Sequence, residues 1–197
     1  PPDIQKSQYD FSIETDENGV ECIRFGLFAI KKVGDNIAKS IPAERESRPY
    51  ESLYDFIERH SDANKGVFEN LAASGALDSF GYTRHTLIEG IGDMVSSIKK
   101  ANKNKDESQL TLFDFGLEKP DTSYKLKEFP EYSFLELCRK EKESTGMYIS
   151  VHPASMIEGI AKENGAVDIS DIVSENSDFD NDDEVAIGGV ITSIKKK

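Results

Sequence analysis

The stretch that decides the fold is GLFAIKKVGDNIAKSIPAER, residues 26–45. Its apolar residues recur at helical spacing, and the pattern breaks once, at Val33-Gly34. We therefore expect a short helix that ends near Lys32, a tight turn, and a second helix over Asp35–Arg45. The aspartate that opens this second helix is suited to the N-cap position, and Pro42 is expected to shorten the helix.

The turn at residues 31–34, Lys-Lys-Val-Gly, has the composition of an anion-binding site. A glycine turn between two helices points backbone N–H groups outward at the start of the second helix, and lysines add charge for a phosphate. This is the chemistry of a helix-hairpin-helix motif, which holds the DNA backbone without reading bases. The alternative is an ordinary pair of helices with solvated lysines. The candidate DNA-binding residues here are Lys31, Lys32, Val33, Gly34 and Lys39.

Residues 64–81 repeat the order of helix, glycine turn and helix. Asn64 is expected to open a helix that Gly75 ends in the left-handed conformation, and a long helix follows over Thr83–Lys100. Two such units in tandem would contact both DNA backbones about a minor groove, with Ser74 and Gly75 as the contacts of the second unit. Because this turn has no lysine, a hairpin that only packs against the first is an equal alternative.

Outside this tandem, the sequence predicts a small β-ribbon and further helices. Two strand-like runs, Tyr9–Glu14 and Val20–Phe25, flank an Asn-Gly pair, which is a strong hairpin signal. Helical patterns cover 131–146 and Pro153–Glu163, and Val185–Ile194 is predicted to be a strand. The fold class is therefore mainly α. The expected organisation is a β-ribbon lead-in (1–26), a tandem helix-hairpin-helix domain (27–105), a loop (106–130), a helical linker (131–173), and an acidic loop with a terminal strand (174–197).

An apolar island, Gln109-Leu110-Thr111-Leu112-Phe113, interrupts the hydrophilic loop. Burial of Leu112 and Phe113 on a partner protein would contribute roughly 3–5 kcal/mol before ordering costs. That magnitude suits a weak, reversible peptide hook. The alternative is a loop anchor that folds back on its own domain.

Composition and charge narrow the function classes. The net charge is −13, of which residues 106–197 carry −10, so residues 1–105, with −3, can present a local basic patch. Cys22 and Cys138 lie far apart and fit a reducing, cytoplasmic setting. No run of 18 apolar residues indicates a membrane span. Without a Walker loop, a nucleophile elbow or metal-ligand spacing, no cofactor or metal site is expected in this chain.

The two ends of the chain suggest a part of a longer protein. The chain starts at Pro1-Pro2 and stops just after the predicted strand, which needs partner strands elsewhere. The acidic stretch 174–184 is interpreted as a solvated loop. A calcium loop starting at Asp178 would need Gly and Glu where Asp183 and Gly189 stand.

Three segments together resemble the alpha subunit of bacterial DNA polymerase III, the replicative polymerase, and they cover nearly the whole chain in the family's order. Two positions depart from the family: Lys32 stands where it usually has glycine, and Phe28 where it usually has a small residue. The resembling segments are Ile23–Leu27 with Ala29–Gly34, the stretch from Asn64-Lys65 through Gly75–Asp78, and Glu141–Glu143 with Gly146–Ser150 and His152-Pro153.

This resemblance gives the apolar island a role. The family has an internal motif of the form Gln-x-x-Leu-Phe that binds the sliding clamp, and residues 109–113 match it. The implied roles are hydrogen bonding by Gln109 and filling of a pocket by Leu110, Leu112 and Phe113, with Thr111 between them.

The resemblance also implies the partners and the missing chemistry. The partners would be double-stranded DNA, the sliding clamp (beta subunit) and the other holoenzyme subunits, and Glu184–Ile194 would begin an OB fold. The catalytic carboxylates and the Mg²⁺ of the parent polymerase would lie upstream, so no catalytic residue is expected here. Two alternatives stay open: a replisome interaction module without DNA affinity, and a self-standing enzyme.

Overall fold

The computed structural model describes residues 1–16, 18–106, 124–174, 179–180, 182–191 and 194–195. Within helix residues 103–106 only the backbone is described. The chain forms two compact units, Pro1–Met147 and Tyr148–Lys197. Each unit is described by itself.

The first unit opens with the predicted β-ribbon. Strand β1 (Ser12–Thr15) pairs antiparallel with strand β2 (Glu21–Arg24), and Ile13 lies opposite Ile23. The turn is closed by Asp16, whose Oδ1 accepts hydrogen bonds from the N–H groups of Asn18 and Val20, both at 2.9 Å. The ribbon is confirmed, although both strands are shorter than predicted.

The first hairpin differs from the prediction on its N-terminal side. Only a 3-10 helix, Leu27–Ala29, forms there, followed by the turn and helix α1 (Asp35–Ser47). The predicted helix to Lys32 is wrong because Lys32 has φ +65°, outside the helical region, and the Lys31 N–H donates to Ser144 O at 2.8 Å.

Helix α1 corrects two further details. Gly34 takes the N-cap position, so Asp35 is the first helical residue and not the cap. Pro42 lies inside the helix without ending it. The pyrrolidine ring is buried, and this apolar burial offsets the one backbone hydrogen bond that a proline cannot donate.

Three more helices complete the tandem arrangement. They are α2 (Leu53–Arg59), α3 (Lys65–Ala73) and α4 (Arg84–Asp106), with a 3-10 turn at Asp78–Phe80. Asn64 caps α3 by accepting the Val67 N–H, and Gly75 has φ +85°, both as predicted. Helix α4 continues six residues past the predicted end at Lys100.

The hydrophobic core lies between these helices and is centred on Phe56, which is fully buried. Its ring lies 5.0 Å from Tyr50, 5.1 Å from His60, 5.8 Å from Phe68 and 6.3 Å from Phe80, measured between centroids. Tyr50 Oη is 2.6 Å from His60 Nε2. Burial lowers the pKa of His60 to about 4, so this histidine is neutral at pH 7 and serves the core.

Residues 124–133 run along the start of α4 and lead into helix α5 (Phe134–Thr145). Glu131 caps α4 from a distance, because its carboxylate accepts the N–H groups of Arg84 (2.8 Å) and His85 (3.2 Å). Leu126 is buried against α4 beside Gly90. Residues 124–130, the described end of the predicted loop, therefore pack on helix α4 within the first unit.

The second unit contains α6 (Ser155–Glu163) and a four-residue helix, α7 (Ile169–Ile172), which the sequence analysis did not predict. The strand predicted over Val185–Ile194 is wrong for the described residues of that range. Ala186 makes one parallel bridge to Ala166, and no ladder extends from it there. A strand is held by a neighbour on which successive residues pair, and a single bridge does not supply this.

Candidate nucleic-acid interface

The first turn, Lys31–Gly34, presents two lysines at the surface beside the start of α1. Lys31 and Lys32 are exposed, whereas Val33 is buried and anchors the turn in the core. Gly34 has no side chain to cap the first-turn N–H groups of α1, so these donors remain for water or a bound anion. Charge and N–H donors therefore occur together, as predicted for this turn.

The backbone of Lys32 directs its side chain toward the second half of the tandem. Its φ of +65° is a conformation that costs about 1–2 kcal/mol for a residue with a Cβ. A Cβ at Gly66 would lie 3.3 Å from Lys32 Cδ and 3.6 Å from its Nζ. The ammonium of the first turn thus lies at the beginning of α3, where backbone N–H groups are also unpaired by the helix.

Lys39 lies one turn further along α1 and has partners within the protein. Its Nζ is 2.9 Å from Asp35 Oδ2 and 5.2 Å from the centroid of the Tyr9 ring. The hydrogen bond from Lys39, together with a second from Tyr9, holds the pKa of Asp35 below its usual value. A phosphate at Lys39 would compete with Asp35, so Lys39 is a weaker candidate than Lys31 or Lys32.

The second turn, at Ser74 and Gly75, is packed against other parts of the protein. Ser74 is fully buried, and its hydroxyl donates to Leu71 O at 2.9 Å. The Gly75 N–H donates to Ala72 O at 3.1 Å, and a Cβ at Gly75 would overlap the guanidinium of Arg84. The structure favours the alternative in which this hairpin only packs.

An arginine that the sequence analysis missed holds the second turn. Arg84 Nη2 lies 2.7 Å from Asp78 Oδ2, and Arg84 Nη1 lies 3.9 Å from the buried carboxylate of Glu141 on α5. Burial alone would lower the pKa of Arg84, but the bonds to Asp78 and the charge of Glu141 raise it overall. The only local signal was the six-residue spacing between Asp78 and Arg84, which is not a helical contact.

The remaining expectations concern the clamp-binding island, metal sites and membrane spans. The predicted clamp-binding island, Gln109–Phe113, lies outside the described residues. Across the described ranges, no group of three or more His, Cys, Asp or Glu side chains is arranged to hold a metal ion. In the same ranges, no helix has the length and apolar character to cross a membrane.

Comparison with known proteins shows what this chain is similar to. Residues 1–87 match the family model described as a helix-hairpin-helix motif. The whole chain aligns at 33% identity with 15% of the DNA polymerase III subunit alpha of Deinococcus radiodurans. The chain is similar to one segment of DNA polymerase III subunit alpha.

Further relatives show similarity of the same kind. In Bacillus subtilis, DNA polymerase III subunit alpha is 34% identical over 86% of this chain and 14% of the relative. In Borreliella burgdorferi, it is 32% identical over 98% of this chain and 17% of the relative. The resemblance to DNA polymerase III subunit alpha is therefore confirmed, and the chain spans about one-sixth of these relatives.

Proposed function

We propose that this chain is a non-catalytic part of a DNA-directed DNA polymerase and holds duplex DNA by its backbone. The observation that carries the proposal is the first turn, where exposed Lys31 and Lys32 lie beside the open N–H groups of α1. The name of the relatives, DNA polymerase III subunit alpha, supports DNA as the anion.

With a net charge of −13, the chain is expected to contact DNA through a small local surface and not through an extended one. The turn lies in the half of the chain that carries only −3, and Lys32 extends the positive surface to the start of α3. A contact of a few phosphates gives weak, strongly salt-dependent binding without sequence preference.

Duplex binding by the whole chain tests the proposal. The double variant Lys31→Ala with Lys32→Ala is expected to weaken binding of a short fluorescent duplex roughly tenfold at low salt, and to reduce the slope of log affinity against log salt by about 2. The control is Lys125→Ala with Lys127→Ala, which removes the same charge from exposed positions on another segment. Equal losses in the two double variants would show only a net-charge effect and would contradict a site at the turn.

We also propose that residues 109–113 tether the polymerase to its sliding clamp. Support comes from the match to the Gln-x-x-Leu-Phe form within a hydrophilic stretch, since Leu112 and Phe113 there have apolar area to bury on a partner.

A peptide covering Ser108–Phe115 is expected to bind the purified clamp with micromolar affinity, measured by fluorescence polarisation. The peptide with Leu112→Ala and Phe113→Ala should lose this binding because it has lost both apolar anchors. A Thr111→Ala peptide, which keeps the anchors, is the matched control. Equal binding by the double variant would refute the tether.

The rival function is a replisome interaction module without DNA affinity, for which the acidic second half of the chain is the reason. It predicts no duplex binding at any salt concentration. We assign the chain no step of nucleotide transfer. The Mg²⁺ chemistry and the cytoplasmic location of the parent polymerase are part of the proposal, as implications of the sequence resemblance.

A further inference from the structure

An aromatic pair lies beside the first turn and has no role in the core. The rings of Tyr9 and Phe28 stack with centroids 4.9 Å apart and an angle of 17° between planes, and Phe28 is 46% exposed. The Tyr9 hydroxyl donates to Asp35 Oδ1 at 2.9 Å. Because Asp35 opens α1, the pair lies directly next to the helix start that the first turn presents.

The pair is held in place by backbone as well as by ring contact. The Phe28 N–H donates to Tyr9 O and the Leu27 N–H donates to Gln8 O, both at 3.0 Å. Gly26, just before, lies so close to the backbone of Asp10 that a Cβ there would clash. The exposed ring is therefore fixed before any ligand arrives, and little conformational entropy remains to be lost on binding.

One lysine lies against the Tyr9 ring of the pair, and two more follow Phe28 closely in the sequence. Lys39 lies over the Tyr9 ring, and its ammonium also neutralises the adjacent carboxylate of Asp35. Lys31 and Lys32 follow Phe28 after two further residues and are exposed. An exposed aromatic ring among lysines is the combination that proteins use to bind nucleic-acid strands by stacking and backbone contact.

A second aromatic cluster in the same unit differs from the Tyr9–Phe28 pair because lysines of the protein cover its outer rings. The His85 ring stacks on Tyr132 with centroids 4.2 Å apart and lies tilted against Phe129 at 4.9 Å. Lys140 lies over the Tyr132 ring and Lys127 over the Phe129 ring. Both outer rings of this ladder are covered by the protein's own cations, so the ladder holds residues 124–133 on α4. Phe28 is more exposed and is next to the first turn.

We propose that Phe28 is a stacking platform for an unpaired nucleobase, at a point where a DNA strand leaves the duplex held by the first turn. This inference rests on the proposed DNA function and adds to it a preference for one DNA structure. A base inside a duplex is already stacked on both faces, so only an unpaired base can use the ring. The expected ligand is therefore a duplex with a single-stranded overhang.

Binding of two DNA probes by the whole chain tests this inference. One probe is a fully paired duplex, and the other is the same duplex with an overhang that carries the fluorescent base 2-aminopurine. The wild type is expected to bind the overhang probe more tightly and to quench its fluorescence by stacking. Phe28→Leu should lose the quenching and bind this probe about 5-fold to 100-fold more weakly, with unchanged affinity for the paired duplex.

Two further variants separate stacking from a general structural effect. Phe28→Tyr keeps an aromatic ring and should restore both quenching and affinity. Phe11→Leu removes another exposed aromatic ring, one that packs on Phe25, and should change neither. Thermal unfolding followed by circular dichroism verifies that each variant is folded.

Several outcomes would overturn the inference and leave the proposed function standing. These are an unchanged overhang affinity in Phe28→Leu, an equal loss on both probes, an equal loss in Phe11→Leu, or an effect of Phe28→Leu seen only on binding to a protein subunit. If the wild type bound neither probe, the proposed DNA function would fail and this inference would fall with it.

Discussion

Replacement of Phe56 by alanine is expected to lower the free energy of unfolding by about 4 kcal/mol, the largest effect of any single change proposed for this chain. The ring is fully buried and contacts Tyr50, His60, Phe68 and Phe80, so its removal leaves a cavity that four aromatic neighbours cannot fill without leaving their own packing. Urea unfolding followed by circular dichroism measures the loss.

The matched control for Phe56 is Phe11→Ala. Phe11 is 52% exposed, so the same change in side-chain size should cost less than about 1 kcal/mol. Similar losses for the two variants would contradict a core centred on Phe56.

Replacement of Arg84 by alanine is expected to lower the free energy of unfolding by about 3 kcal/mol. The Arg84 side chain is 11% exposed and lies between Asp78 and Glu141, and the Glu141 side chain is only 2% exposed. Removing the guanidinium takes a positive charge away from two carboxylates, one of them buried, and leaves space above Gly75. Chemical unfolding at neutral pH measures this loss.

Arg48→Ala is the control for Arg84. Arg48 pairs with Asp55 at 2.5 Å, but its side chain is 52% exposed, and an exposed ion pair contributes less than about 1 kcal/mol. If Arg84→Ala destabilised the protein no more than Arg48→Ala, the second turn would not be held by a buried ion pair.

Local signals in the sequence were sufficient for the elements whose ends depend on neighbouring residues. Asn64 caps α3 because its side chain reaches an N–H three residues away, and Gly75 follows the end of α3 because a residue without a Cβ adopts φ +85° at low cost. The Asn-Gly ribbon turn belongs to the same class. These contacts span two to four residues, so a single sequence displays both partners.

The same local logic failed where a distant partner determines the conformation. The predicted helix up to Lys32 is replaced by a turn in which the neighbouring Lys31 N–H donates to Ser144, more than a hundred residues away. Among the described residues of the strand predicted over Val185–Ile194, a single bridge forms, at Ala186, because a strand depends on its neighbour as well as on its own sequence.

The features of the candidate site also fall into those visible in the sequence and those that depend on tertiary contacts. By itself, the sequence determined that lysines, a glycine and a helix start occur together at residues 31–35, because these features are adjacent along the chain. Only the tertiary structure decided which turn is open at the surface: burial of Ser74 and the packing of Arg84 against Gly75 fill the second turn. Only the tertiary structure brought Tyr9 against Phe28 beside the first turn. Packing between distant segments determines which side chains are exposed, and this cannot be deduced from the spacing of residues along the chain.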